Sequence, residues 1–150
     1  MTDCPFCNPD EILQGETNIC GGKTADCPFC NPDEILLEND LAFAKYDLYP
    51  VSPGHLLVIP RQHVASWFDL TPAEQTAVLA LADLAKDLLD ETYAPDGYNL
   101  GINCGEAAGQ TVMHAHLHVI PRYTGDVPNP RGGIRAVIAA KQDYTNRTRR

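Results

Sequence analysis

Residues 111–122 read TVMHAHLHVIPR, a stretch in which three histidines alternate with apolar side chains. A period of two is typical of a β-strand, because successive side chains point to opposite faces of a sheet. The pattern therefore predicts a strand with His114, His116 and His118 on one face. The apolar side chains of the other face are those of Met113, Ala115, Leu117 and Val119. Three imidazoles on one strand face predict either a metal site or catalysis by nucleophilic and acid–base histidines.

The sequence on either side of this stretch predicts further antiparallel strands. Residues 35–46, ILLENDLAFAKY, form two short strand-like runs around a turn and predict a hairpin. Residues 55–60, HLLVIP, predict a short buried strand that ends at a proline. Another strand is predicted within residues 98–103, YNLGIN. Together with the histidine stretch, these runs predict a single antiparallel sheet.

One long helix is predicted between these strands. Thr71 is placed to cap it, Pro72 takes the first helical position, and Glu74 completes a capping box. Apolar side chains then recur at helical spacing to about Glu91 and give one apolar stripe. This order of elements predicts an α+β fold, with the main helix packed on one face of the sheet.

The size and composition of the chain are those of one soluble domain. Its 150 residues are 44% hydrophobic and 21% charged, and the net charge of −9 argues against general nucleic-acid binding through phosphates. No apolar run reaches the roughly 20 residues that cross a bilayer, and the N-terminus lacks the pattern of a signal peptide. We therefore predict a cytoplasmic protein without a membrane partner, whose six cysteines serve as thiols or metal ligands rather than disulfides.

The segment before the histidines favours phosphate chemistry. Residues 101–111, GINCGEAAGQT, are rich in small residues whose backbone amides can approach a phosphate closely. Gln110 adds a side-chain amide that can orient an oxygen atom. The residues alone leave open both phosphate chemistry and a catalytic three-histidine zinc site.

At this point a resemblance adds to the pattern. Residues 109–122, GQTVMHAHLHVIPR, resemble the signature of the histidine-triad (HIT) family. Residues 46–70, YDLYPVSPGHLLVIPRQHVASWFDL, are similar to the upstream nucleotide-binding segment of that family. The resemblance runs from about Cys27 to at least Arg122 and is strongest to bacterial Fhit-like dinucleoside polyphosphate hydrolases. It divides the chain into an irregular N-terminal extension, residues 1–25, and a HIT-like nucleotide-binding domain with a basic C-terminal tail, residues 26–150.

The resemblance implies a homodimeric α+β protein that cuts or transfers a nucleotide at its α-phosphorus. It implies that His116 is the nucleophile and forms a covalent nucleotidyl-histidine, with His118 and His55 as its catalytic neighbours. Gln110 would position an oxygen of the substrate or the attacking water. By the same resemblance, Asp47 would hold the ribose hydroxyls and Asn103 would line the phosphate site. The nucleotide-binding residues would therefore be Asp47, Asn103, Gln110, His116 and His118.

Two Cys-x-x-Cys pairs precede the predicted hairpin. The eleven residues DCPFCNPDEIL occur at 3–13 and again, unchanged, at 26–36. By spacing alone, a four-cysteine zinc ribbon is predicted from Cys4, Cys7, Cys27 and Cys30. The resemblance implies a different ligand set for a structural zinc, namely Cys27, Cys30, His63 and His114. Three states remain open: the Cys2His2 site, the four-cysteine site, and no metal.

Two functions from different classes remain open as well. The first is a nucleotide hydrolase or nucleotidyl transferase that acts on dinucleoside polyphosphates or related nucleotide conjugates. The alternative is a zinc-stabilised nucleotide-binding module without significant turnover. A further hypothesis concerns Arg131 and Arg135. The resemblance makes them candidates for a phosphate or second-nucleotide contact, with a role at the dimer interface or on the surface as the alternative.

Overall fold

The structure, a computed structural model, describes residues 26–145 and has one long helix packed against one antiparallel sheet. The strands are β1 (Leu37–Glu38), β2 (Ala42–Tyr46), β3 (Leu56–Pro60), β4 (Gly97–Gly101) and β5 (Leu117–Arg122), and the helix is α1 (Pro72–Tyr93). Across the sheet, the strands follow the order β1-β2-β3-β5-β4. The predicted α+β fold is confirmed. The first DCPFCNPDEIL copy lies outside the described residues, as do residues 146–150.

The start and end of α1 follow from local chemistry. The Oγ1 atom of Thr71 accepts a hydrogen bond from the backbone N–H of Glu74 (3.3 Å), and the Glu74 carboxylate accepts one from the backbone N–H of Thr71 (2.8 Å). This is the predicted capping box, with Pro72 in the first turn. The helix ends at Tyr93 because Ala94 takes a left-handed conformation, with φ 47° and ψ 54°.

The two faces of the sheet are covered differently. One face packs on α1, whose buried side chains recur at helical spacing and belong to Val78, Leu81, Ala82, Ala85 and Leu89. From the sheet, this core takes in Ala44, Val58, Leu117 and their neighbours. The opposite face carries a second cluster of Phe43, Leu57 and Ile59, on which Phe29 packs. Because antiparallel partners share a face, the register Lys45–Leu57–His118 runs across this second face.

The hairpin between β1 and β2 is closed by one asparagine. The side-chain oxygen of Asn39 accepts hydrogen bonds from the backbone N–H groups of Leu41 (3.0 Å) and Ala42 (2.8 Å). Its amide nitrogen donates to the carbonyl of Ala77 in α1 (2.9 Å). Asn39 thus fixes the turn and ties it to the helix, and the predicted hairpin is confirmed.

The strand predicted to carry all three histidines is shorter than the alternation suggested. β5 begins at Leu117, which pairs with Val58, so only His118 lies within the strand. Continued pairing would have set Ala115 opposite Pro60, which has no N–H to donate. The N–H of Ala115 donates instead to the carbonyl of Val64 (2.7 Å). Met113 also departs from the predicted buried face, because its side chain is 40% exposed.

Short 3-10 helices occupy several of the connections. They span Trp67–Asp69, Glu106–Ala108 and Gly133–Lys141, the last with a kink at Ile138. Between residues 26 and 145, no helix combines the length and apolar character needed to cross a bilayer. With one face of the sheet covered by α1, the other face and the loops at its edge are left to form a site.

Candidate active site and metal centre

Four side chains with donor atoms typical of metal ligands converge where the turn at residues 27–30 meets the segment leading into β5. The Sγ atom of Cys27 lies 3.4 Å from Nδ1 of His114. The Sγ atom of Cys30 lies 3.2 Å from Nδ1 of His63 and 3.7 Å from Nδ1 of His114. All four donor atoms lie within 4.8 Å of one another. Cys27, Cys30 and His114 are buried, and His63 is half-buried.

These separations fit a tetrahedral zinc ion. With Zn–S bonds of about 2.3 Å and Zn–N bonds of about 2.0–2.1 Å, a sulfur and a nitrogen ligand lie roughly 3.6 Å apart. The observed sulfur–nitrogen distances of 3.2, 3.4 and 3.7 Å bracket that value. The structure therefore brings together the four residues that the resemblance implied. A Cys2His2 set of this size could hold a metal ion.

The ring of His114 is oriented by the end of β3. Its Nε2 atom lies 2.8 Å from the carbonyl oxygen of Pro60. A carbonyl only accepts, so Nε2 carries the proton and the Nδ1 lone pair faces the two sulfurs. Burial raises the pKa of the Cys27 thiol, whereas a bound dication would favour the thiolate.

Beside this centre, the second face of the sheet borders a cavity of about 580 Å³. This volume is within the range of small-molecule sites. Polar side chains line it from several elements, among them those of Asp33, Lys45, Asp47, Asn103, Thr111, His116 and His118. The cavity is thus large enough for a nucleotide and carries two of the three histidines of the alternating stretch.

His116 is held in one tautomer by its own backbone. Its Nδ1 atom lies 2.8 Å from the carbonyl oxygen of His114. Because the carbonyl can only accept, the proton lies on Nδ1 and the lone pair lies on Nε2. The side chain lines the cavity and is only 9% exposed. An imidazole whose Nε2 lone pair is not engaged has the electron pair that nucleophilic catalysis requires.

His55 and His118 form a hydrogen-bonded pair, of which His118 lines the cavity and His55 lies behind it. The N–H of Val51 donates to Nδ1 of His55 (3.2 Å), so His55 carries its proton on Nε2. That Nε2 lies 3.0 Å from Nδ1 of His118, which leaves the His118 proton on its Nε2. Burial, helped by the imidazoles of His116 and His55, lowers the pKa of His118 to about 4. Burial also lowers the pKa of His55, against the opposing charge of Asp47.

The position of His55 depends on Gly54. This glycine has φ +83°, a left-handed conformation that L side chains rarely adopt. A Cβ atom there would lie 2.9 Å from the ring of Tyr93 and 3.0 Å from the side chain of Leu89. Gly54 thus lets the loop before β3 lie against the end of α1, and this contact sets the place where His55 enters the site.

Asp47 and Asn103, the predicted ribose and phosphate contacts, both line the cavity. One carboxylate oxygen of Asp47 accepts a hydrogen bond from the N–H of Tyr49 (2.9 Å). The other lies 3.5 Å from Nδ1 of His55. Asp47 therefore lies beside His55 and at the wall of the cavity, and its role toward the ribose stays a prediction.

Gln110 is placed differently from the other predicted site residues. Its Oε1 accepts from the N–H of Gly105 (2.7 Å), and its Nε2 donates to the carbonyls of Ala65 (2.6 Å) and Val112 (3.1 Å). The side chain is 4% exposed, and both amide hydrogens are engaged. In this conformation Gln110 joins three backbone segments beside the cavity rather than lining it. Contact with a substrate would require it to release one of these bonds, so that role stays a prediction.

The sequence analysis missed two side chains of the site. The ring of Phe29 lies edge-on to His114 and His116, with centroid distances of 6.0 and 5.0 Å. Lys45 is 7% exposed and lines the cavity, and its ammonium group has no hydrogen-bond or ion-pair partner among residues 26–145. A signal for Lys45 was present, because it is the one charged residue of the apolar strand AFAKY. Phe29 had no signal apart from its position between two cysteines.

Arg131 and Arg135 do not line this cavity. The guanidinium of Arg135 donates to the carbonyls of Lys141 (2.9 Å) and Gln142 (3.2 Å), at the end of the last 3-10 helix. It also lies over the ring of Tyr144, 5.3 Å from its centroid. In the described part of the chain, Arg135 therefore holds the C-terminal segment together, and no contact there supports the predicted phosphate contact.

Comparison with known proteins agrees with this geometry. A family model described as HIT domain matches residues 29–125, more than half of the chain. AP-4-A phosphorylase from Mycobacterium tuberculosis is 39% identical over 87 residues, which make up 57% of this chain and 45% of that protein. Bis(5'-adenosyl)-triphosphatase from Dictyostelium discoideum is 41% identical over 90 residues, 60% of each. The chain thus spans about half the length of these curated relatives.

A solved structure gives the same result for the fold. A zinc-bound histidine triad family protein from Mycobacterium smegmatis superposes with a TM-score of 0.62 at 33% identity. The superposition covers 77% of this chain and 92% of that one. The architecture of a sheet with one main helix is therefore shared with a protein of similar length.

Proposed function

The chain belongs to the HIT domain family, and on that basis we propose that it is a nucleotide hydrolase or nucleotidyl transferase. Its reaction occurs at the α-phosphorus of a dinucleoside polyphosphate or a related nucleotide conjugate, through a covalent nucleotidyl-His116. One observation carries this proposal: the hydrogen bond from Nδ1 of His116 to the His114 carbonyl leaves the Nε2 lone pair free at the cavity wall. The names of two curated relatives, a phosphorylase and a triphosphatase of dinucleotides, support the substrate class.

In the first step, Nε2 of His116 attacks the α-phosphorus, and the bond to the leaving group breaks. A polyphosphate leaving group departs as an anion and needs no proton. The positive charge that the imidazole gains is stabilised by its Nδ1–H bond to a carbonyl. His118 carries its proton on Nε2 and lines the same cavity, so it donates to a phosphate oxygen as negative charge develops there.

In the second step, water attacks the α-phosphorus, and the phosphorus–nitrogen bond breaks. The electron pair returns to Nε2 of His116, and the proton that the water loses passes to solvent. If another acceptor replaces water, the same step transfers the nucleotide. Two displacements at one phosphorus let the same donors act twice, which is the advantage of covalent catalysis. Asp47 binds the ribose and Asn103 the phosphates in this scheme, since both line the cavity that His116 borders.

The cofactor of this proposal is a structural Zn²⁺ held by Cys27, Cys30, His63 and His114. Its support is the fit of the sulfur–nitrogen distances to tetrahedral zinc, together with the zinc-bound relative. When bound, the ion fixes the turn at residues 27–30 against the segment that carries the nucleophile. All four positions of a tetrahedral ion are then filled by protein, so it takes no part in the chemical step.

The proposed functional unit is a homodimer. β4 stands at one edge of the sheet, where its outer backbone groups have no strand partner among residues 26–145. Apolar side chains lie exposed near this edge, with Leu100 48% and Ile134 51% accessible. An unpaired strand edge beside exposed apolar surface makes a monomer prone to aggregate. A dimer whose second subunit continues the sheet would cover both the edge and the apolar surface.

Release of AMP from dinucleoside polyphosphates and nucleoside phosphoramidates tests the proposal. We expect the wild-type chain to release AMP and the His116→Ala variant to bind AMP without releasing it from any conjugate. If the wild-type protein binds nucleotides but turns over none of these substrates, it is the zinc-stabilised binding module. A protein that shows neither binding nor turnover would remove the nucleotide assignment altogether.

A further inference from the structure

Two large side chains of the loop between β2 and β3 stand exposed where the cavity opens to solvent. Tyr49 is 86% and Leu48 73% exposed, yet both line the cavity. We propose that Tyr49, together with Leu48, forms a stacking surface for the second nucleoside of the substrate, the one that leaves with the polyphosphate. This inference rests on the function proposed above and deepens it, because it selects conjugates whose leaving group ends in an aromatic ring.

Hydrogen bonds hold this loop in one conformation. One carboxylate oxygen of Asp47 accepts from the backbone N–H of Tyr49 (2.9 Å), and the backbone N–H of Asp47 donates to the carbonyl of His55 (3.0 Å). Further along the loop, the hydroxyl of Ser52 donates to the carbonyl of Pro121 in β5 (2.6 Å). Tyr49 is therefore presented on a fixed backbone. Because a tyrosine side chain has only two rotatable torsions, little conformational entropy is lost when a ring stacks on it.

The size of the cavity leaves one of the two nucleosides outside. Its volume of about 580 Å³ is that of a site for one drug-sized ligand, whereas a dinucleoside polyphosphate carries two nucleosides on one phosphate chain. In the proposed reaction, the retained nucleotide takes the enclosed part, because its α-phosphorus must reach Nε2 of His116. The second nucleoside then lies at the mouth of the cavity, where Tyr49 and Leu48 are exposed.

The retained base has other apolar side chains to rest on. Leu57 lines the cavity from the sheet and is 4% exposed, and Phe29, which also lines it, packs on Leu57. These two side chains are enclosed, whereas the ring of Tyr49 is open to solvent and has room for another ring. The cavity thus offers separate apolar contacts to the two bases, enclosed for one and open for the other.

Stacking is the form of recognition that suits a group at the mouth of a cavity. Every base has a π-face, so stacking on an aromatic side chain tolerates any base. Leu48 adds apolar area beside the ring. The leaving nucleoside is therefore recognised as an aromatic ring and not by its base identity. Dinucleoside polyphosphates gain this contact, and conjugates whose leaving group has no ring do not.

Nucleotide binding to the full-length His116→Ala variant tests the inference without interference from turnover. Diadenosine tetraphosphate and adenosine tetraphosphate are the two probes, because they share the phosphate chain and differ in the second nucleoside. We expect the diadenosine probe to bind on the order of tenfold more tightly. Addition of Tyr49→Ala should remove this difference by weakening only the diadenosine probe, and addition of Tyr49→Phe should preserve it, because the phenyl ring still stacks.

Phe68→Ala is the matched control, because Phe68 is an aromatic side chain with 79% exposure that is not among the residues lining the cavity. It should leave the affinity of both probes unchanged. The inference is overturned if Tyr49→Ala weakens both probes equally, since Tyr49 would then contact the retained nucleotide, or if it weakens neither. Release of AMP by the wild type is measured in parallel. A preference that depends on Tyr49 without any turnover would reject the proposed reaction and retain the second-nucleoside site, whereas binding of neither probe would reject both.

Discussion

Nδ1 of His116 lies 2.8 Å from the carbonyl oxygen of His114, so the backbone of a residue in the Cys–His cluster holds the proton of the proposed nucleophile. The ring of His114 is fixed in turn by Pro60 on one side and faces the cysteine sulfurs on the other. Phe29 contacts both imidazoles from the turn between the cysteines. The Cys–His cluster and the ring of His116 therefore form one packed unit, and movement of His114 would displace the hydrogen bond that fixes the tautomer of His116.

Removal of the metal should therefore lower both stability and turnover. We expect chelation to lower the melting temperature on the order of 10 °C or more, since a structural zinc contributes directly to the free energy of folding. Turnover should fall with it and return when zinc is restored. The Cys104→Ser variant is a control that should respond to chelation as the wild type does, because Cys104 lies outside the four-residue cluster. If stability and turnover are the same with and without metal, zinc does not support the nucleophile.

His116→Ala should abolish turnover while preserving nucleotide affinity. The expected loss in kcat is about 10³-fold or more, because the variant lacks the atom that forms the covalent intermediate. Affinity for AMP should change only a few-fold, since other side chains line the same cavity. Trapping of a nucleotidyl-protein by acid quench in the wild type, and its absence in the variant, checks the intermediate. A variant that retains wild-type kcat would exclude His116 as the nucleophile.

Variants of Gln110 test whether its side chain stabilises the fold or contacts the substrate. Gln110→Ala should lower the free energy of unfolding by about 1–3 kcal/mol, because buried backbone groups lose their partners. Gln110→Glu keeps an acceptor for the N–H of Gly105 but removes both donors, so it should destabilise the protein as well. Chemical denaturation measures the effect. Full stability combined with a large loss of kcat in either variant would instead assign Gln110 to the substrate.

Lys45 should attract the anionic part of the ligand. Its side chain is 7% exposed and lines the cavity, where the ammonium group has no partner among the described residues, so an anionic ligand in the cavity would give it a charge-assisted hydrogen bond. Lys45→Met should raise KM about tenfold, which corresponds to the binding free energy of one hydrogen bond to a charged group. The variant should also show a weaker salt dependence of KM. Lys86→Met is the control, because Lys86 is exposed on α1 and paired with Asp90. Equal KM values for both variants would remove Lys45 from the site.

Local rules made much of this architecture predictable. The Thr71–Glu74 capping box and the apolar stripe after it needed only the residues within one helix. The hairpin likewise follows from Asn39 and its neighbours. The residues of the metal centre came from a resemblance, because spacing alone favoured the two cysteine pairs together. The periodicity of apolar residues and helix capping depend on a few neighbouring residues. A site, in contrast, joins residues that are far apart in the chain.

Where the structure differs from the sequence-based predictions, the cause lies in residues that are distant in the sequence. β5 begins at Leu117 because Pro60, on another strand, cannot continue the ladder. Gln110 bonds to Ala65, 45 residues earlier in the chain, and no pattern near Gln110 indicates that contact. The burial of Lys45 depends on which face of the sheet the cavity occupies, a choice that alternation within β2 leaves open.

His118 should make the protein less stable in mild acid. Its pKa is lowered to about 4 in the folded protein, below the value of about 6.5 in an unfolded chain. Above pH 6.5, His118 is largely neutral in both the folded and the unfolded protein, so its burial does not lower the free energy of unfolding there. As the pH falls toward 4, the unfolded state takes up the proton first, so stability declines across this window.

The variant His118→Asn isolates this contribution. Its side-chain oxygen can accept from Nε2 of His55 as Nδ1 of His118 does, but it does not titrate. The melting temperature of the variant should fall less steeply than that of the wild type between pH 6.5 and 4, with both proteins loaded with the same amount of zinc. His55 contributes in the same direction, because its pKa is also lowered, and it remains in both proteins. Parallel curves for the two proteins would mean that His118 is not held neutral by its burial.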